Sequence, residues 1–508
     1  MFNYKRKNYF VIYCLIIISI LLFLLIKTPG LKGGIDQEIR IITKNPIIID
    51  TRNPINESLS NILIAMKDLF RLNKDNFETL NIDIDFQNLD VLQRDRSNAL
   101  KTGMLINPNK INAKINLNGK KIDASARLKG DFNDHRNFNK QWSLKFNLRN
   151  SENIFKMTEF SLTNHRSRNY PYNFIIAQNL ERMNLHVPKF KTVKVIFNGY
   201  DWGLMLIEEH FTKEFLENRK LKNGLIFKLS NEEKMIFEHL HLYKNQKIEN
   251  GDFEVLTRWQ DILNINYHNK KVFSKNKLNL ERRDFLSKLS LFKTINNEIN
   301  FNKNNYKDKI IEKYFDLESF AVMFVSSLAW GEAKFHSMEF NNARFYINPY
   351  NLKIIPIPAD YEFIFKMYAH TNDNENLDNY KNIIVRDMLY LPIFYQSIFL
   401  NDKFKIYYEK ALTDFEKNIP YIEEDIDKLC SDYSQICNKL IKIEKLKTNI
   451  TNLKKINTNI FDTFQKQYTV HHNKANRIDE DYSNQNNFNS SKYFNLYTHH
   501  LNIRAFND

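Results

Sequence analysis

Glycine is scarce in this 508-residue chain: 11 residues, about 2%, where about 7% is usual. All of them lie at or before Gly331. The shortage excludes a G-x-G-x-x-G dinucleotide or kinase loop and a G-x-x-x-x-G-K-[ST] phosphate loop, neither of which occurs. Any nucleotide chemistry here must therefore hold phosphate with side chains. Cysteine is rarer still, at 3, and two cysteines outside the N-terminal apolar run do not make a zinc site. Acidic residues number 59 against 74 Lys and Arg, a formal charge of +15. Asn, Ile, Lys and Phe are abundant, a pattern of AT-rich coding that discounts the basic charge as evidence. The remainder, 43% hydrophobic and 26% charged, supplies a sizeable core and excludes a wholly disordered chain.

Long apolar runs are also lacking, with one exception. Tyr9–Ile26 reads YFVIYCLIIISILLFLLI, uncharged, and its helix would span about 27 Å, close to a hydrocarbon core. Lys5, Arg6 and Lys7 precede it, which favours a cytoplasmic N-terminus. A cleaved signal peptide is the rival. The length of the run and the absence of an A-x-A-like site favour an uncleaved signal anchor at 9–27. The main body is then expected outside the cytoplasm, in the periplasm or at the cell surface. Cys430 and Cys437 would lie about 10 Å apart on one helix, too far for a disulfide, so a bridge requires a break between them. Two reduced thiols are the alternative.

Beyond a short cytoplasmic segment (1–8) and the anchor, residues 28–79 read as a stem with an amphipathic helix near Leu59–Leu72. Residues 80–215 read as a β-rich first lobe. IDIDF (82–86) alternates, INAKINL and KKIDASARLKG flank Asn118-Gly119, and KQWSLKFNL (140–148) is a further strand. TVKVIF and WGLMLIEE flank Asn198-Gly199 as a second hairpin, and a helix over 168–183 is inserted between the hairpins. Residues 216–470 read as a mainly helical second lobe. Asp316 caps a buried helix over 317–330, ARFYIN and LKIIPI form a hairpin, and 402–466 are long helices striped by Leu446, Ile450, Leu453, Ile456, Ile460 and Phe464. Residues 471–508 read as a loose polar tail.

The stretch 316–363 is the richest in chemistry. A buried helix feeds a loop ending in Asn341-Asn342, a hairpin follows, and Asp360 comes next. An amide oxygen and a carboxylate brought to one end of a sheet are hard ligands that suit Mg²⁺ or Mn²⁺ on phosphates. The opposing reading is a turn-capping Asn and a surface Asp. Glu208-Glu209 closes an otherwise apolar strand, where a carboxylate can partner a phosphate-clamping lysine or simply face solvent. Arg127, Lys129, His135, Lys140 and Lys145 make a cationic cluster, with Arg127 and Lys129 on one face by period two. It can hold triphosphate without a glycine loop, dock an acidic polymer, or be a solvated face.

R-L-K-G-D-x-x-x-H, K-x-W-S-L-K-F, V-x-V-x-x-N-G-x-x-W-G-L-x-x-x-E-E and N-N-x-R-F-Y-x-N-P…P-I-x-x-D-Y occur in that order between about Leu80 and Phe365. Together they resemble the CotH kinase family, the spore-coat-protein-H-like proteins. The resemblance implies an α+β, two-lobed, protein-kinase-like fold, here behind a transmembrane helix. It implies ATP or a similar nucleotide with Mg²⁺ or Mn²⁺. The family's phosphate-contacting lysine falls on Lys140, with Lys145 as the alternative. Its partner glutamate falls on Glu209, and the metal ligands on Asp360 and on Asn341 or Asn342. The family's kinases carry an Asp just before the Asn. Here KFHSMEFNN offers only His336 and Glu339 as bases, with Glu332 further off.

Two readings follow. One is a membrane-anchored phosphotransferase acting on a cell-envelope protein or polymer. The other is a catalytically inactive surface or scaffold protein whose basic lobe holds acidic envelope polymer or a partner. A weaker third is an accessory to envelope polysaccharide export. Nucleic acid is not an expected partner, because the lysines are dispersed rather than interleaved with aromatics.

Overall fold

The structure, a computed structural model, describes residues 77–164, 172–230, 264–267, most of 287–299, 304–338, 342, 344–361, 364, 377–389, 391–432 and 443–483. The chain divides into residues 1–74 and 75–508, and every described residue belongs to the second unit.

Alternating apolar positions build seven strands: β1 (Thr79–Asp83), β2 (Ile111–Leu117), β3 (Lys120–Leu128), β4 (Leu144–Leu148), β5 (Glu159–Thr163), β6 (Phe190–Phe197) and β7 (Tyr200–Glu209). They form a closed barrel in the order β1-β2-β3-β4-β5-β7-β6. Neighbours are antiparallel except β1 and β6, whose parallel ladder sets Thr79 opposite Lys194 and closes the ring. One side of each strand faces inward. Ile82, Ile122, Phe146, Leu162 and Ile207 fill the interior, so the barrel is packed with side chains. Phe197 and Trp202 stack at 4.1 Å, with Trp142 edge-on to Trp202 at 5.6 Å. The Asn-Gly turns are of the expected kind: Asn118 and Gly119 hold φ of 52° and 86°, and Asn198 and Gly199 hold 46° and 79°.

The first helix, α1 (Phe86–Thr102), falls where the sequence suggested no helix; the strand expected to reach residue 86 stops at Asp83. The Asp85 carboxylate accepts the Asn88 N–H at 2.8 Å, and Gly103 ends the helix at φ 76°. Leu92 and Ala99 are buried against β2 and β3. Helix α2 (Tyr172–Arg182) lies between β5 and β6 in sequence.

Gly130 explains part of the R-L-K-G-D-x-x-x-H pattern. It holds φ 89°, and a Cβ there would overlap the His135 ring. His135 Nδ1 meets Ser143 Oγ at 2.8 Å, and Arg136 donates to the carbonyls of Gly130 and Asp131, both at 2.7 Å. This knot fixes the chain as it leaves β3. Gly130→Ala should therefore cost on the order of 2–4 kcal/mol, from left-handed strain plus displacement of a buried ring. A urea midpoint within experimental error of the wild type would contradict this.

After the short helix α3 (Lys213–Asn218), strands β8 (Leu225–Ser230), β9 (Asn264–Tyr267), β10 (Arg344–Ile347) and β11 (Ile354–Ile357) form a second, antiparallel sheet in the order β11-β10-β8-β9. Its two faces are both covered. Leu225, Phe227 and Phe345 enter a helical core, while Ile226, Tyr346 and Ile357 pack on Phe215 and Leu216 of α3. The helical core is built by α4 (Asn304–Tyr314), α5 (Leu317–Ala329), α6 (Leu377–Met388), α7 (Ile393–Leu400), α8 (Asp402–Asp432) and α9 (Ile443–Ser483). Asp316 caps α5, accepting the Ser319 N–H at 3.1 Å. The stripe Leu446 to Phe464 on α9 is buried, and α9 continues to Ser483, past the start of the expected tail.

These elements correct the two-lobed kinase-like expectation. The β-rich part is a closed barrel, not an open kinase-like sheet: β1 bonds to both β2 and β6, and the helix packed on it is α1. The helix assigned to it, α2, buries Ile175, Ile176 and Leu180 in the helical core instead. Arg182 at its end pairs with Asp425 of α8 at 2.6 Å. The transmembrane part of that expectation has no counterpart among the described residues, where no helix is long and apolar enough to cross a membrane. Tyr9–Ile26, the stem helix at Leu59–Leu72 and Cys437 lie outside the described residues.

Candidate functional site

Strand register places a row of polar residues on the outside of the barrel. Arg127 of β3 stands opposite Lys145 of β4, Lys145 opposite Ser161 of β5, and Ser161 opposite Glu208 of β7. Directly opposed residues share a face, and their neighbours in sequence (Leu128, Leu144, Phe160 and Ile207) fill the interior. Lys129, two residues beyond Arg127, reaches Glu208 with Nζ to Oε2 at 2.6 Å. Lys145 reaches Glu159 at 3.3 Å, and Glu159 also accepts from Asn147 at 2.8 Å. Among the described residues, Arg127, Lys129 and Lys145 share this face with Glu208 and Glu159, all largely buried apart from Arg127, which is half-buried. Burial pushes Lys145 down to about 8, with Arg127 and Lys129 acting in the same direction and Glu159 against them. Ser161, 1% exposed, has a hydroxyl with no hydrogen-bond partner in the centre of this row.

The predicted pair Lys140 and Glu209 is not brought together. Lys140 is exposed and donates to the Asp201 carbonyl at 3.3 Å. Glu209 is gripped by Arg219, at 2.7 Å and 3.3 Å to its two oxygens, and accepts further from Lys189 N–H at 3.0 Å and Asn218 at 3.2 Å. Arg219 and Glu209 are 7% and 2% exposed, so the pair is an internal clasp between α3 and the end of β7.

The other predicted residues gather beyond α5. A short turn of 3-10 helix, Ala333–Met338, carries His336. Asn342 donates from Nδ2 to the His336 carbonyl at 2.9 Å and faces His336 Nε2 at 3.2 Å. Asp360 is half-buried with φ 71°, and Phe335, fully buried, holds φ 52°. Left-handed conformations at non-glycine residues cluster at functional sites, where the surrounding fold overrides the strain. Glu339 and Asn341 lie outside the described residues. Among the described residues no group of three or more His, Cys, Asp or Glu forms a metal cage. A magnesium-sized cation needs none: one or two protein oxygens with phosphate and water suffice, and Asn342 with Asp360 fits that donor set.

A physical thread joins the two groups. Glu208 and Phe211 are three residues apart, at most about 11 Å of chain. The Arg344 guanidinium lies 4.7 Å from the Phe211 ring and donates to the Asn342 carbonyl. Phe211 also shares a small core with Ala359, the residue before Asp360.

Sequence reasoning did not pair Lys129 with Glu208 and did not find Ser161 or Arg219. Period two in EFSLT, opposed to Phe160 and Leu162, was the signal for Ser161. Glu332 is fully buried and accepts from the Ser327 hydroxyl and from the N–H and hydroxyl of Ser337, the last two at 2.8 Å. Burial pushes its carboxyl up to about 6 despite those bonds and nearby His336. A folded value above the ordinary 4.5 means that the contribution is full below pH 4.5 and is lost as pH rises through 6. The loss is on the order of 2 kcal/mol. The difference in stability between the wild type and Glu332→Gln should shift by that amount across this window, and a flat difference would contradict the assignment.

The chain matches no protein-family model, and no curated protein matches it.

Proposed function

We propose that this chain is a metal- and nucleotide-dependent phosphotransferase acting on a cell-envelope protein or polymer. The observation that carries the reading is the outer barrel face, where Arg127, Lys129 and Lys145 gather with Glu208 and Glu159 in a largely buried row. A cluster of partly desolvated cations suits an anion of high charge density. Glu208 holds Lys129, and the three cations take the charge of a triphosphate in place of a glycine loop. Asn342 and Asp360 hold Mg²⁺ or Mn²⁺, which when bound neutralises charge on the transferring phosphate. The acceptor hydroxyl oxygen bonds to the γ-phosphorus as the bond to the bridging oxygen breaks, and that electron pair leaves on the nucleoside diphosphate. The hydroxyl proton passes to His336 Nε2, displacing the Asn342 N–H that faces it. The apolar run Tyr9–Ile26 anchors the chain, N-terminus in the cytoplasm, so the donor is a nucleotide available outside it.

The test is a titration of the full chain with Mn²⁺ and ATP, following thermal stabilisation and phosphate transfer, with Asp360→Ala as control. Stabilisation and transfer that both depend on Asp360 are expected. No metal-dependent nucleotide binding would overturn the reading. Binding without transfer would favour the inactive surface protein, with the same face holding acidic polymer.

A further inference from the structure

Glu332 lies just past α5 and ahead of the turn Ala333–Met338, which leads to Asn342. Its carboxylate accepts from Ser327, in the last turn of α5, and twice from Ser337, in the turn Ala333–Met338. The turn is thereby stapled to the end of the helix. A staple is needed because Phe335 inside the turn holds φ 52°, a conformation that bulky residues rarely adopt. His336, beside Ser337, receives the Asn342 amide on its carbonyl at 2.9 Å.

We infer that Glu332 is a positioning residue that holds Asn342 in its cation-binding arrangement, through Ser337 and the His336 carbonyl. The inference rests on the phosphotransferase reading for its cation. Groups behind metal ligands that fix ligand orientation typically weaken metal affinity by about 10–100-fold when lost, and Glu332 acts on Asn342 at one further remove, through Ser337 and His336.

The experiment measures Mn²⁺ affinity of the full chain by electron paramagnetic resonance, with Mn²⁺ alone and with Mn²⁺ plus ATP. Asp360→Ala should abolish binding. Glu332→Ala should weaken it about tenfold or more, while Glu332→Gln should stay within about threefold, because its amide can still accept the Ser337 N–H and meet both serine hydroxyls. Should Glu332→Ala fail to fold, Ser337→Ala decides, with a weakening of about threefold to tenfold expected. A Glu332 that served folding alone would lower the melting temperature and leave the Mn²⁺ affinity of the folded protein unchanged, and that result overturns the inference. Wild-type binding and transfer with unchanged affinity in the Glu332 and Ser337 variants would overturn it while leaving the phosphotransferase reading intact. Weakened Mn²⁺ binding in those variants, in a protein that never transfers phosphate, would support it and overturn that reading. A wild-type chain that binds no Mn²⁺ under either condition overturns both.

Discussion

Lys129→Met is expected to lower phosphate transfer by about 10²–10³-fold, the usual loss when one preorganised charge is removed from a transferring group. It should also destabilise the fold by about 3 kcal/mol, because Glu208, whose side chain is only 11% exposed, is left without its 2.6 Å partner. The two effects can be separated. Adding Glu208→Gln removes the carboxylate that lost its lysine, so the double variant should regain part of the stability and none of the activity. Urea denaturation and a transfer assay on the three proteins read this directly. A single variant with full activity would remove Lys129 from the phosphate site. A double variant no more stable than the single would show that the stability cost does not come from Glu208.

Arg219→Met is expected to have the opposite profile. The Glu209 carboxylate is almost completely enclosed and would keep only Asn218 and the Lys189 N–H as donors, at a cost of about 3–5 kcal/mol. Transfer per folded molecule should hold, since the clasp joins α3 to β7 and does not face the cationic row. Pairing the change with Glu209→Gln should recover part of the loss. A large fall in transfer with unchanged stability would instead return Glu209 to the lysine-partner role that the CotH resemblance implies.

Local chemistry was legible in the sequence where one short segment decides the structure. The two Asn-Gly turns, the Asp316 cap, the enclosed helix α5 and the stripe on α9 each depend on residues a few positions apart. What was not legible depends on distant pairings. Barrel closure needs Thr79 to find Lys194 across more than a hundred residues, and nothing local marks it. Helix α1 buries only Leu92 and Ala99, too thin an apolar face to stand out from its polar surroundings, although Asp85 and Gly103 bracketed it. The site divides in the same way. Alternation placed Arg127 and Lys129 on one face correctly, but which lysine meets which glutamate is set by strand order: β7 lies beside β5, so Glu208 comes within reach of Lys129, while Glu209 turns toward Arg219. Asn342 and Asp360 were readable because a single hairpin, β10 to β11, brings them back to one end of a sheet.

The central claim, that phosphate seats among Arg127, Lys129 and Lys145, is tested most directly by proton uptake on binding. Lys145, pushed down to about 8 by burial, is only partly charged near pH 8, and an incoming triphosphate should raise its charge. Calorimetric titration of ATP with Mn²⁺ in buffers of different ionisation enthalpy should show net proton uptake on binding at pH 8. The uptake should be close to none at pH 6.5 and absent at both pH values in Lys145→Met. Binding at pH 8 with no proton uptake, or with the same uptake in Lys145→Met, would place the phosphate elsewhere and contradict the account.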